Sequence, residues 1–167
     1  MKTADKRAEL ERLLRGLGSA AVAFSGGTDS AFLLKTAHEL LGDKAFAVTA
    51  RMEAAPHGET LEAEEFCRRH GIRQLCFDTD MLNIEGFAAN TPERCYICKR
   101  AVFSRIKEIA AKNGAAYVIE GSNLDDEGDY RPGLRAIKEL GVRSPLKEAG
   151  LTKAEIRELS REMGLET

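Results

Sequence analysis

The sequence has no tryptophan and only four prolines, four cysteines and three histidines, and aromatic residues make up 6% of its 167 positions. No stretch approaches the roughly 18–20 consecutive apolar residues that a membrane span requires. Behind Met1-Lys2-Thr3-Ala4-Asp5-Lys6-Arg7 there is no apolar signal core, so a cytoplasmic location and no membrane partner are expected. In that compartment the cysteines are reduced thiols, metal ligands or redox groups sooner than structural disulfides. An excess of charge of either sign is also lacking. The 25 Lys and Arg stand against 27 Asp and Glu, a net charge of −2, which does not advertise a surface for tracking nucleic-acid phosphates. No internal repeat or low-complexity segment is present.

What is present is an ordinary globular composition, 43% apolar and 31% charged. Residues 1–167 are expected to form a single domain with one core. Periodicity predicts helices over Ala4–Leu17, Thr28–Leu41, His57–His70, Thr91–Lys112, Leu134–Leu140 and Thr152–Met163, and a helical turn over Ile84–Ala89. Leu10, Leu13, Leu14 and Leu17 recur at helical spacing. Thr91-Pro92 supplies an N-cap and a proline at the first helical position. Thr152, with Glu155 three residues on, has the pattern of a capping box. Short apolar runs predict strands at Ser19–Phe24, Lys44–Ala50, Ile72–Phe77, Ala115–Glu120 and Val142–Leu146. The alternation predicts an α/β fold, a parallel sheet of about five strands with helices on both faces. Ligands of such sheets sit beyond the carboxyl ends of the strands. The loops after Phe24, Ala50, Phe77 and Glu120 are therefore expected to line one crevice.

The densest stretch is Ala20-Ala21-Val22-Ala23-Phe24-Ser25-Gly26-Gly27-Thr28-Asp29-Ser30. An apolar strand runs into a Ser-Gly-Gly turn and then into a helix. The first helical turn leaves backbone N–H groups unpaired and carries partial positive charge, which suits a phosphate. Gly26 and Gly27 let the backbone approach without a Cβ in the way. Ser25, Thr28 and Ser30 add hydroxyls. Neither the P-loop pattern G-x-x-x-x-G-K nor the dinucleotide pattern G-x-G-x-x-G is present. Asp29 would repel a phosphate unless a cation lay between them, so it implies Mg2+; it also reads as an ordinary favourable charge in a first helical turn.

Three further groups stand out. Cys95 and Cys98 are three apart at the head of the longest helix, beside Arg94, Lys99 and Arg100. A zinc site, a redox dithiol and packed thiols are all open readings, with Arg94 and Lys99 facing the crevice in the last. Cys67 and Cys76 read as core. Residues 121–133 form a Gly-rich loop with Asp125, Asp126, Glu127 and Asp129, read either as a site for Mg2+ or substrate or as a solvated loop. Gly121 and Ser122 directly follow a strand, and Ser122 reads as a phosphate contact. Arg131 could meet an anionic group bidentately. Arg51, just past the second strand, lies where a base or ribose would sit. No role is assigned to His38, His57 or His70.

The string Ser25-Gly26-Gly27-Thr28-Asp29-Ser30 resembles the signature of the PP-loop ATP pyrophosphatases. These enzymes cleave ATP between the α and β phosphates and adenylate an acceptor. Three more segments sharpen the resemblance: Arg94-Cys95-Tyr96-Ile97-Cys98-Lys99; Gly121-Ser122-Asn123-Leu124-Asp125-Asp126 with Gly128-Asp129-Tyr130-Arg131-Pro132-Gly133; and Gly141-Val142-Arg143-Ser144-Pro145-Leu146 leading into Gly150-Leu151-Thr152-Lys153. Together they resemble the ATP-dependent sacrificial sulfur transferases of the LarE family along nearly the whole chain. The resemblance implies an adenine nucleotide alpha hydrolase-like, Rossmann-like fold. It implies adenylation of a pyridinium biscarboxylic acid mononucleotide, sulfur transfer from a cysteine, and a product that feeds a nickel-pincer cofactor.

Phe24, Ser25, Gly26, Gly27, Thr28, Asp29, Ser30, Ala50, Arg51, Gly121 and Ser122 would bind ATP. Asp29 would hold Mg2+, and Lys99 would neutralise departing pyrophosphate. Arg94, Asp125 and Arg131 would meet the substrate. The family continues past the helix that ends here at Gly164, and its donor cysteine matches none of Cys67, Cys76, Cys95 or Cys98. A fragment, or a partner chain supplying the missing C-terminal region, is therefore expected, with ATP binding and adenylation but no complete sulfur transfer by this chain alone. The other expected partners are the small-molecule nucleotide substrate and further copies of the chain, and no nucleic acid. Competing readings are a tRNA-thiolating enzyme, an amide-forming synthetase, and a nucleotide-binding module without chemistry.

Overall fold

A computed structural model describes residues 2–52, 57–79, 94–126 and 132–165. The elements in chain order are α1 (Thr3–Leu17), β1 (Ala20–Ala23), α2 (Thr28–Leu41), β2 (Ala45–Met52), α3 (His57–His70), β3 (Gln74–Thr79), α4 (Arg94–Lys112), β4 (Tyr117–Ile119), α5 (Pro132–Glu139), α6 (Pro145–Glu148) and α7 (Lys153–Glu162). The four strands pair in parallel in the order β3-β2-β1-β4. In β1, Ala21 and Val22 pair with Phe46 and Ala47 of β2 on one side and with Val118 and Ile119 of β4 on the other.

The short β1 works because it is covered on both faces, as a central parallel strand must be. Ala20 and Val22 face a core with Leu10, Phe32 and Leu33, whereas Ala21 faces a second core with Phe46, Val102 and Ile106. Helices α1, α2, α3, α6 and α7 contribute to the first core, and α4 and α5 to the second. Helix α2 is buried nearly all round, with Ala31, Phe32, Leu33, Leu34 and Ala37 fully enclosed. Burying each large side chain there contributes about 1.5–3 kcal/mol, so this helix, and the turn that opens it, is anchored by tertiary packing.

Two expectations change. The run Val142–Leu146 is not a fifth strand. Only Arg143 bridges Ile119, in parallel, and the chain then turns into α6 with Pro145 at its start. Proline has no N–H for a ladder and its fixed φ suits a first helical position, which ends the extended stretch after one bridge. The fourth strand is likewise shorter than the run Ala115–Glu120. The expected start of the longest helix at Thr91-Pro92 and the turn at Ile84–Ala89 lie outside the described residues. Among the described residues no helix is long and apolar enough to cross a membrane.

The strand order has a consequence for binding. From β1 the chain moves through β2 to β3 on one side, then returns to place β4 on the other. The order therefore reverses between β1 and β4, and the crevice at such a point, outside the carboxyl ends, is where ligands of open α/β sheets bind.

Candidate functional site

At that point lies an open cleft of about 590 Å3. Its upper wall is the turn after β1. Phe24 still belongs to the sheet, its N–H donating to the Val48 carbonyl at 3.1 Å and its carbonyl accepting from Thr49 Oγ1 at 2.8 Å. The chain then turns through Gly26, at φ 96°, a left-handed conformation that favours glycine. Gly27 is the N-cap of α2 and gives it no side-chain hydrogen bond. The first helical hydrogen bond runs from the Ala31 N–H to the Gly27 carbonyl at 2.9 Å. The N–H groups ahead of it belong to Thr28, Asp29 and Ser30, all of which line the cleft.

The second wall is the segment after β4. It reaches α2 because position 121 is glycine. A Cβ there would lie 3.0 Å from the Ser30 nitrogen and 3.1 Å from its Cα, and a backbone cannot give way as a flexible side chain would. The opposite side is apolar, with Val48 and Ala50 from β2 and Val102, Phe103 and Ile106 from α4. Lys99 stands at its rim, exposed, with its Nζ 5.7 Å from the Phe103 ring centroid. The cleft thus joins uncapped N–H groups and an ammonium to an apolar slot, a combination suited to a phosphorylated ligand with a flat apolar part.

Charge is arranged within this cleft by long-range pairs. Asp29 accepts from Asn123 Nδ2 on one oxygen and from Lys153 Nζ on the other, each at 2.8 Å. Asn123 is buried; its Oδ1 accepts from the Asp125 N–H at 2.8 Å, and its own N–H donates to Asp126 Oδ2 at 3.0 Å. Asp125 in turn accepts from the Lys153 N–H at 3.0 Å. This network binds the head of α2, the turn Leu124–Asp126 and the head of α7 into one unit.

Glu120, also at the cleft, is buried, 7% exposed. One of its oxygens accepts both the N–H and the hydroxyl of Ser122, at 2.7 and 2.8 Å, and the other accepts the Ser144 hydroxyl. Among the described residues no cation pairs with it.

The predicted residues separate accordingly. Phe24, Ser25, Gly27, Thr28, Asp29, Ser30, Ala50, Lys99, Gly121 and Ser122 meet at the cleft, and Gly26 shapes its turn. Arg51 does not reach it: its side chain is exposed and paired with Glu64, a hydrogen bond that raises its pKa. Asp125 is spent on the backbone of α7. Arg94 begins α4, and Arg131 lies outside the described residues. Cys67 is buried, and burial pushes its thiol up to about 12; the half-buried Cys76 is raised for the same reason. Neither is a ready thiolate. Sequence reasoning assigned no role to Glu120, Asn123, Ser144 or Lys153. The only local signal was position: Glu120 ends an apolar run, and Lys153 follows the cap of a predicted helix.

No known family model matches the chain. It is 40% identical over 163 residues to pyridinium-3,5-bisthiocarboxylic acid mononucleotide synthase of Lactiplantibacillus plantarum, a match covering 97% of this chain and 59% of that protein. It is 37% identical to an uncharacterised protein of Synechocystis, slr1717, over 96% of this chain and 60% of that one. The chain thus spans about three fifths of the length of these curated relatives. Among solved structures, the NH3-dependent NAD synthetase of Campylobacter jejuni superposes with a TM-score of 0.74 over 99% of this chain and 75% of that one, at 15% identity, a likeness of fold. With its Ser-Gly-Gly-Thr-Asp-Ser turn at the head of α2, its parallel sheet and these relatives, the chain resembles, over 97% of its length, the LarE-like members of the PP-loop ATP pyrophosphatase superfamily.

Proposed function

We propose that the chain is the ATP-binding, adenylating part of a LarE-like sulfur transferase, with a pyridinium-3,5-biscarboxylic acid mononucleotide as the carboxylate it activates. The observation that carries this reading is the uncapped head of α2, held open against Gly121, in a chain 40% identical to the bisthiocarboxylic acid mononucleotide synthase.

A carboxylate is a poor electrophile, and adenylation gives it a good leaving group. An acceptor oxygen bonds to the α-phosphorus, the bond from that phosphorus to the bridging oxygen breaks, and pyrophosphate departs. The N–H groups of Thr28, Asp29 and Ser30 and the hydroxyls of Ser25 and Thr28 hold phosphate oxygens. The ammonium of Lys99 offsets charge on the departing pyrophosphate. The apolar side formed by Val48 and Val102 takes the base. Lys153, already at the cleft, is the second ammonium within reach of a phosphate, and it leaves Asp29 when it turns there.

No group of three or more metal-ligating side chains exists among the described residues, so a cage made by the protein alone does not fit. A Mg2+ that arrives on the nucleotide needs only one or two carboxylates beside phosphates and water. Asp29 fits that need, since each of its oxygens accepts one hydrogen bond and retains a lone pair. The ion would spread negative charge over the phosphates.

Calorimetric titration with ATP and Mg2+, beside Asp29→Ala, tests the reading, together with pyrophosphate release in the presence of the biscarboxylic acid mononucleotide. Saturable binding, weakened about tenfold or more by the substitution, and acceptor-dependent pyrophosphate are expected. Binding without pyrophosphate release would leave a nucleotide-binding module.

A further inference from the structure

We propose that Glu120 is a positioning residue that turns Ser122 into a hydrogen-bond acceptor toward the cleft, so that the ligand group meeting Ser122 is a hydrogen-bond donor and not a phosphate oxygen. This inference deepens the nucleotide reading above and rests on it. An ionised carboxylate only accepts hydrogen bonds, and a serine hydroxyl has one proton to give. With Ser122 Oγ 2.8 Å from Glu120 Oε2, that proton lies between them. The Ser122 N–H is spent on the same oxygen at 2.7 Å. Both donors of Ser122 are consumed, and only lone pairs of its hydroxyl remain for the cleft that the residue lines.

Glu120 has reason to hold them. It is buried, no cation among the described residues neutralises it, and a buried anion is tolerated only when hydrogen bonds replace its water. Three donors, the Ser122 N–H, the Ser122 hydroxyl and the Ser144 hydroxyl, do this. Its negative charge also repels a phosphate from this wall and favours partial positive charge. Phosphate is therefore left to the head of α2, and the wall at the end of β4 meets donors. Two sources of such a donor exist in a nucleotide complex: the hydroxyl or amino groups of the nucleoside, and water carried on the cation.

The experiment measures dissociation constants for wild type, Ser122→Ala, Glu120→Leu and Ser144→Ala. The ligands are ATP, 2′-deoxy-ATP, 3′-deoxy-ATP and purine riboside triphosphate, which lacks the amino group, each with and without Mg2+. Wild type is expected to bind one of these analogues about threefold to tenfold more weakly than ATP, the worth of one hydrogen bond. Ser122→Ala then binds ATP as weakly as that analogue and no longer tells the two apart. If water on the cation is the source, the Ser122→Ala loss instead disappears when Mg2+ is omitted. Glu120→Leu removes the acceptor, frees the Ser122 proton and abolishes the same discrimination, while Ser144→Ala, which removes a different donor from Glu120, preserves it. Thermal melts check that each variant is folded, and a discrimination lost in Ser122→Ala but kept in Ser144→Ala separates positioning from general destabilisation. An equal loss for every ligand with and without Mg2+, or no loss at all in Ser122→Ala, overturns the inference while leaving ATP binding intact. Failure of wild type to bind any triphosphate overturns the nucleotide reading and this inference with it.

Discussion

Helices α2 and α7 begin in opposite ways. Helix α7 closes its own N-terminus. The Thr152 hydroxyl accepts from the Glu155 N–H at 3.2 Å, and the Glu155 carboxylate accepts from the Thr152 N–H at 3.0 Å. The same carboxylate takes Lys6 Nζ at 2.8 Å and Thr3 Oγ1 at 2.9 Å from α1. Helix α2 has an acid in its first turn too, but Asp29 does not reach back. It turns to Lys153 and Asn123, and the N-cap is a glycine without a side chain. The capped terminus contributes stability. The uncapped one gives up that contribution and keeps its N–H groups for a cleft. The comparison separates a helix start that holds the fold from one left free to bind an anion, and the two helices differ in setting too, α2 being buried nearly all round and α7 burying one face through Ile156, Leu159 and Ser160.

The largest expected effect comes from closing the open terminus from outside. Gly121→Ala puts a Cβ 3.0 Å from the Ser30 nitrogen, and overpacking against backbone costs about 1–3 kcal/mol. Chemical denaturation should show that loss, and titration should show ATP affinity falling with it. A stable variant with unchanged affinity would mean that the two walls can separate freely.

A smaller effect is expected at the closed terminus. Glu155→Gln keeps the reach of the capping side chain but removes the charge that Lys6 meets. The loss at neutral pH should be up to about 1 kcal/mol, the range of such pairs. Its pH dependence is the sharper test. The hydrogen bond from Lys6, helped by Thr152 and Thr3, holds the Glu155 carboxyl at about 2, below its ordinary 4.5. A group depressed in the folded state adds stability that is present above about pH 4.5 and is lost as pH falls toward 2. Urea midpoints measured across that window should fall less steeply for Glu155→Gln than for wild type.

The smallest effect is expected from giving α2 a cap. Gly27 has φ −73° and ψ 162°, a conformation any residue adopts, and a Cβ there would meet nothing nearer than Ser25 Oγ at 4.0 Å. Gly27→Ser should raise stability by a few tenths of a kcal/mol, about the difference between glycine and serine at an N-cap. Its hydroxyl should compete for the N–H groups that ATP uses, so a small gain in melting temperature should accompany weaker binding. A gain in both would show that the α2 terminus is not the anion site.

Much of the frame was legible in the chain. The apolar runs of β1 and β2, the heptad-like leucines of α1 and the capping box at Thr152 are local signals, and each formed the predicted element. The Ser-Gly-Gly turn was legible for the same reason, since a left-handed Gly26 and a bare N-cap are properties of adjacent residues. The run Val142–Leu146 misled because its β-like start and its proline compete, and the proline ends the extended stretch. Arg51 was expected at the ligand because it follows the expected strand Lys44–Ala50, yet β2 runs on to Met52 and Glu64, 13 residues on, takes the Arg51 side chain to the outside. Ser122 lies at the cleft as expected, but its proton is committed to Glu120.

The sequence by itself determined the α/β order of elements, the glycine turn and the two contrasting helix starts, because periodicity, φ freedom and capping act over a few residues. Only the tertiary structure decided which charge meets which. Asp29 finds its partners 94 and 124 positions away, and Ser144 finds Glu120 24 positions away. Such partners are chosen by the parallel sheet, which brings the ends of β1 and β4 and the head of α7 together, and no local signal in the chain encodes that distance.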